Sequence, residues 1–128
     1  MVKFYDGLAG GLIPYVRMLA WLNAVPDAPP GNANLPNRSK RDTRSRGEIK
    51  RDAGEWVAMP SVALGAYLVD YLMEVGPVEP SGMASAPISH REIHYWQKNI
   101  GVTLEPWELR VIRRLSGEYL RESQRATA

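Results

Sequence analysis

His90 and His94 stand four residues apart with Glu92 between them, a spacing that puts both imidazoles on one helix face within reach of a common metal ion. The order is H-x-E-x-H rather than the H-E-x-x-H of zinc proteases, and a site needs further ligands. The pair therefore reads as two partly exposed imidazoles near a helix start, with no metal. Two carboxylate pairs, Asp70/Glu74 and Glu105/Glu108, are the acid–base candidates. The first has the i, i+4 spacing of a helix exterior; the second falls in a first helical turn, where negative charge complements the helix dipole. Those roles account for all four without catalysis. Gly7, Gly10 and Gly11 lack the Lys-Ser/Thr of a phosphate loop. The chain contains no cysteine, which excludes disulfides, thiolate nucleophiles and Cys-based zinc sites. No catalytic residue, metal or cofactor is expected.

Arg110, Arg113 and Arg114 raise a different chemistry. The helices on either side of Gly101 have the order of a helix-turn-helix, whose second helix would enter a major groove. Glu105, Glu108 and Glu118 share that second helix, and phosphate binding needs several uncompensated cations. Charge placement argues the same way. Residues 1–52 carry nine Lys/Arg against five Asp/Glu, and residues 53–128 carry seven against nine. The basicity belongs to the N-terminal part, so no nucleic-acid partner is expected. The remaining candidates are Trp96 and Trp107. One reading places both in the core; the other makes them anchors for a partner, because Trp and Tyr carry disproportionate interface energy.

The elements that would position these residues follow from periodicity. After Met59, Pro60 can open a helix, and Leu64, Leu68, Tyr71, Leu72 and Val75 keep one face up to the stop at Gly76-Pro77. Residues 77–87, with three prolines and Gly82, read as a loop. Ser89 to Glu92 has the S-x-x-E spacing of a capping box; Ile93, Trp96 and Ile100 form a stripe, and Gly101 ends that helix. Pro106 opens the last helix, where Leu109, Ile112, Leu115, Ser116, Tyr119 and Leu120 give the clearest 3.6-residue pattern, fraying after about Glu122. No strand pattern and no internal repeat is evident. The expected fold is all-α: a small three-helix domain over residues 59–126, preceded by a poorly ordered N-terminal extension with one possible short helix.

Residues 1–25 form an apolar segment, helical from roughly Pro14 to Asn23. Arg17 lies at its centre, and a central Arg costs roughly 2.5–3.5 kcal/mol on membrane insertion scales. Pro14 and Gly10-Gly11 interrupt it further, and no clean signal-peptide cleavage site follows. No membrane partner is expected. Residues 26–58 read as a Pro/Asn-rich and then basic linker, too poor in apolar side chains to offset the entropy of ordering.

The runs MPSVALGAYLVDYLMEVGPV (Met59 to Val78) and PISHREIHYWQKNIGVTLEPWELRVIRRLSGEYLRESQRA (Pro87 to Ala126) resemble tail assembly chaperones of tailed bacteriophages and prophages. The shared elements are Tyr-Leu-x-x-Tyr-Leu-x-Glu-x-Gly-Pro, Pro-Ile-Ser-x-x-Glu-Ile-x-x-Trp, Leu-x-Pro-Trp-Glu and Arg-Leu-Ser-x-x-Tyr-Leu, covering about half the chain. The chain departs from the pattern at His90 and at Glu105, where Ser or Thr would cap the last helix. Residues 1–52 lie outside the resemblance; one hypothesis assigns them to an upstream reading frame or an early start codon. The resemblance implies a non-enzymatic helper in the host cytoplasm. It would keep the tape measure protein soluble and bring major tail tube subunits to it, with self-association as a further possibility. The expected partner surface comprises Tyr67, Tyr71, Trp96, Trp107, Ile112 and Tyr119, with a groove between the Leu64–Val75 helix and the two tryptophans. A helix-turn-helix-like DNA-binding regulator and a minor structural tail protein are the rival readings.

Overall fold

Five helices and a two-stranded antiparallel hairpin make up the described part of the chain, which in this computed structural model comprises residues 2–26, 43–60 and 64–127. The elements are α1 (Val2–Asn23), α2 (Arg46–Asp52), α3 (Ala66–Val75), β1 (Val78–Ser81), β2 (Ala84–Pro87), α4 (His90–Ile100) and α5 (Pro106–Thr127). The architecture is mixed α/β with helices predominant. The all-α, three-helix expectation is corrected in three places: the N-terminal segment, the hairpin and the last helix.

The first correction is α1. It runs for 22 residues, not only from Pro14, although its intrinsic propensity is poor. Gly7, Gly10 and Gly11 each cost about 1 kcal/mol relative to Ala, and Pro14 costs about 3. Tertiary contact offsets that deficit. Ala9, Leu12, Val16 and Ala20 recur every three or four residues and are fully buried, and α1 lies chiefly along α5, also touching α2 and α3. Close approach to the start of α3 is possible because Gly65 has no side chain. A side chain at Gly65 would collide with the Leu8 and Leu12 side chains, and Gly65 also holds φ +77°, a conformation only glycine adopts freely.

The basic linker also folds in part. Residues 27–42, with most of the Pro/Asn-rich stretch and part of the basic run, lie outside the described residues. Beyond them, Ser45 caps α2 by accepting from the Glu48 amide. Arg46 then joins three elements. Its amide donates to Ala24 O, and its guanidinium donates to Trp21 O at 3.3 Å and Ala126 O at 2.6 Å while lying 4.9 Å over the Trp21 ring. One cation thus meets the carbonyl ends of α1 and α5, where helix dipoles favour positive charge.

The second correction is the hairpin. Val78, Glu79, Pro80 and Ser81 pair with Pro87, Ala86, Ser85 and Ala84, leaving Gly82 and Met83 as a two-residue loop. Gly82 has φ +64° and, among the described residues, no non-glycine residue has positive φ, which is the pattern of a II′ turn. With Ser81 and Ala84 as the hydrogen-bonded closing pair, the alternation of an antiparallel ladder turns the backbone groups of Val78, Pro80, Ser85 and Pro87 outward. Both prolines thus sit where a missing N–H costs no ladder bond. A lone hairpin is marginal in water, and this one is anchored by Ser116. That side chain is 0% exposed; its Oγ accepts from Ile88 N at 2.7 Å and donates to Pro77 O at 2.6 Å. The hydroxyl closes the two ends of the hairpin onto α5.

The third correction concerns helix limits. The helix expected from Pro60 begins at Ala66, with Leu64 exposed before it; residues 61–63 lie outside the described residues. The last helix does not fray at Glu122 but continues to Thr127, with Glu122 and Ala126 buried. The core itself is continuous. Leu68, Val69 and Leu72 of α3, Ile88 between β2 and α4, Ile93 and Trp96 of α4, Leu104, and Val111, Ile112, Leu115 and Tyr119 of α5 join the α1 stripe in one cluster.

Candidate functional site

The helix starts place the aromatic residues. At α4, Ser89 Oγ accepts from the Glu92 amide at 3.2 Å, as the S-x-x-E spacing requires. The reciprocal half of the box is taken over by the hairpin, because Ser89 N donates to the Glu79 carboxylate. At α5 the opposite half is made: Glu108 accepts from the Glu105 amide at 2.8 Å, so the loss of Ser or Thr at 105 leaves the helix start partly capped. The connection between these helices is fixed by Gln97, whose side chain accepts from Leu104 N at 2.7 Å, and by Gly101 at φ +82°.

Glu108 has a second task. Its other oxygen accepts from Tyr67 Oη at 2.8 Å, tying α3 to the start of α5. Burial and then the bond to this carboxylate push the Tyr67 phenol up to about 12. Tyr67 stacks edge-on against Tyr71, with centroids 5.7 Å apart, and Tyr71 against Trp96 at 5.0 Å, the geometries that aromatic quadrupoles favour. The result is an aromatic ledge running from exposed to buried. Tyr67 is 42% exposed, Tyr71 half-buried and Trp96 9% exposed. Leu64 precedes the ledge, and Ile100, one turn beyond Trp96, extends it; both are exposed. The buried indole Nε1–H of Trp96 meets no protein acceptor, although such groups nearly always find one.

The six residues expected to contact a partner divide sharply. Tyr67 and Tyr71 present usable surface, and Trp96 backs them. Trp107 is partly buried against the core. Ile112 is 1% exposed and lies in the core, so its assignment to the surface is corrected. Tyr119 is likewise buried; its ring packs in the core and its hydroxyl accepts from Asn23 of α1 at 3.0 Å. Periodicity marks residues that face inward but not what covers them, and here α1 is the cover. Leu64 and Ile100, members of the apolar stripes, are exposed.

The chemistry-bearing residues are engaged separately. His90 Nε2 lies 3.3 Å from Arg113 Nη1, and Arg113 Nε donates to Ile88 O. His94 packs edge-on against its neighbour Tyr95. Among the described residues, no group of three or more His, Cys, Asp or Glu is placed to hold a metal ion. The helix-turn-helix reading fares poorly in shape: α5, which would have to enter a groove, is the helix around which α1, α3 and the hairpin close. Among the described residues, no helix is long and apolar enough to cross a membrane.

No protein-family model, curated protein or solved structure matches this chain.

Proposed function

We propose that this protein is a non-catalytic tail assembly chaperone. It holds apolar helical stretches of the tape measure protein and brings tail tube subunits to them in the host cytoplasm. The observation that carries this reading is the ledge: Tyr67, Tyr71 and Trp96 in edge-to-face contact, flanked by exposed Leu64 and Ile100. Rigid aromatics beside adaptable aliphatic side chains suit the apolar face of a helix laid into a groove, and such residues dominate interface energies. The resemblance of residues 59–126 to tail assembly chaperones supports the choice of partner.

The test is co-purification. Tyr67→Ser and Ile100→Ser change exposed positions and should leave folding intact. Together they should weaken capture of the tape measure protein by tenfold or more, the order expected when interface anchors are truncated. Undiminished capture by the folded double variant would remove the ledge from the mechanism. Mass spectrometry of purified virions separates the chaperone from a structural tail protein: a chaperone should be missing from them.

A further inference from the structure

α1 packs chiefly along α5, yet its own residues give it little tendency to be helical. The contact face of α1 is Ala9, Leu12, Val16 and Ala20. Polar groups tie it to α5 as well. Arg17 reaches Glu118 at 2.9 Å from a half-exposed position, where an ion pair is worth little; Asn23 donates to Tyr119 Oη; and Arg46 bridges Trp21 O to Ala126 O. Three glycines and Pro14 leave α1 little tendency to be helical away from this seat. The α1 seat also adjoins the ledge. Gly65, which packs against Leu8 and Leu12, stands between Leu64 and Tyr67, so an arriving helix that touches the ledge meets the N-terminal half of α1.

We propose that α1 is a self-supplied occupant of a helix-binding groove on α5 and α3, and that a partner helix with the same spacing of small and branched apolar residues displaces it. The proposal rests on the reading of this protein as a binder of apolar helices. It adds the groove, the sequence pattern of the occupant (small, Leu, Val, small at the spacing of residues 9, 12, 16 and 20) and an autoinhibitory role for α1. A tethered helix competes at an effective concentration of roughly millimolar, so exchange requires its intrinsic affinity to be weak, as the glycines and Pro14 make it.

The probe is a dye-labelled synthetic peptide of residues 2–24, followed by fluorescence anisotropy with the full-length protein. The variant is Arg17→Glu with Arg46→Ala, which sets a carboxylate against Glu118 and removes the bridge to Ala126 O without altering the groove or the ledge. The variant should bind the peptide at least tenfold more tightly than wild type does, and a peptide carrying Leu12→Ser and Val16→Ser should not bind. Equal affinities overturn the proposal, as does loss of α5 helicity in the variant. Hydrogen exchange of the wild-type protein gives a second readout. The α1 amides should exchange at least tenfold faster than those of Leu115 and Ser116, through local opening; a common rate for both helices overturns the proposal. Capture of the tape measure protein should rise in the variant. If the peptide exchanges but that capture does not change, displacement of α1 stands and the partner named under the proposed function is wrong.

Discussion

Replacing Ser116 by Ala should destabilise the protein by about 2–4 kcal/mol, a large effect for one oxygen. In the native state Oγ accepts from Ile88 N and donates to Pro77 O, and Ile88 is fully buried. Without Oγ, the Ile88 N–H stays inside with no acceptor, a loss of roughly 1–3 kcal/mol. Pro77 is only half-buried and its carbonyl can recruit water, so its share is nearer the 0.5–1.5 kcal/mol typical of an exchanged hydrogen bond. Arg113 still donates to Ile88 O, and Glu79 still holds Ser89 N, so the hairpin should loosen from α5 without collapse of the core. In urea, with a slope of about 2 kcal/mol/M, the midpoint should fall by about 1–2 M. Ser85→Ala on the exposed face of β2 is the control and should change stability by less than about 0.5 kcal/mol. The Ile88 amide, read by hydrogen exchange, should lose its protection selectively. A Ser116→Ala loss below about 1 kcal/mol, or unchanged exchange at Ile88, would refute the view that this hydroxyl fastens the hairpin.

Three further outcomes are expected. Ile112→Ala should cost about 2–5 kcal/mol, as large-to-small core changes do, whereas Tyr67→Ser should cost far less; paired denaturation curves of the two variants check the division between core and ledge. Gly65→Ala should destabilise by more than about 1 kcal/mol, since alanine is strained at φ +77° and its methyl meets Leu8 and Leu12, and loss of protection in α1 should accompany the drop in thermal midpoint. The raised Tyr67 phenol favours the protonated form in the fold, so its contribution to stability is present below the ordinary value of 10.0 and is lost as pH rises through about 12. In Glu108→Gln the carboxylate is gone, and the Tyr67 midpoint, followed by NMR of labelled tyrosine, should move back towards 10.

The parts of the fold that the sequence announces are those where a short local rule decides. Ser89 and Glu92 mark the start of α4, Gly76 and Gly101 mark helix ends, and the α5 stripe fixes the helix that organises the core. What escapes is decided by tertiary contact or by signals that periodicity does not carry. The glycines and Pro14 of α1 argue against the helix that packing imposes. Strands Val78–Ser81 and Ala84–Pro87 lack alternating apolar residues; Val78 alone of their large apolar side chains packs on the core, and a serine from α5 fastens the ends. Ser45 to Glu48 repeats the S-x-x-E spacing inside a run otherwise rich in charge, and α2 begins there. The candidate site was legible in residue type at Tyr67, Tyr71 and Trp96. It was not legible in exposure, since the burial of Tyr119 depends in part on α1, a distant segment of chain.

The two prolines of the hairpin have a consequence for the protein at high concentration. A free strand edge recruits other chains by offering a row of backbone donors. Here every second outward position on each strand, Pro80 on one and Pro87 on the other, offers none. An incoming strand can form no regular ladder on either side, so stacking of hairpins into fibres is blocked at the level of the main chain. Exchanging both prolines for threonine would restore the missing amides and should raise the rate at which the protein seeds aggregates.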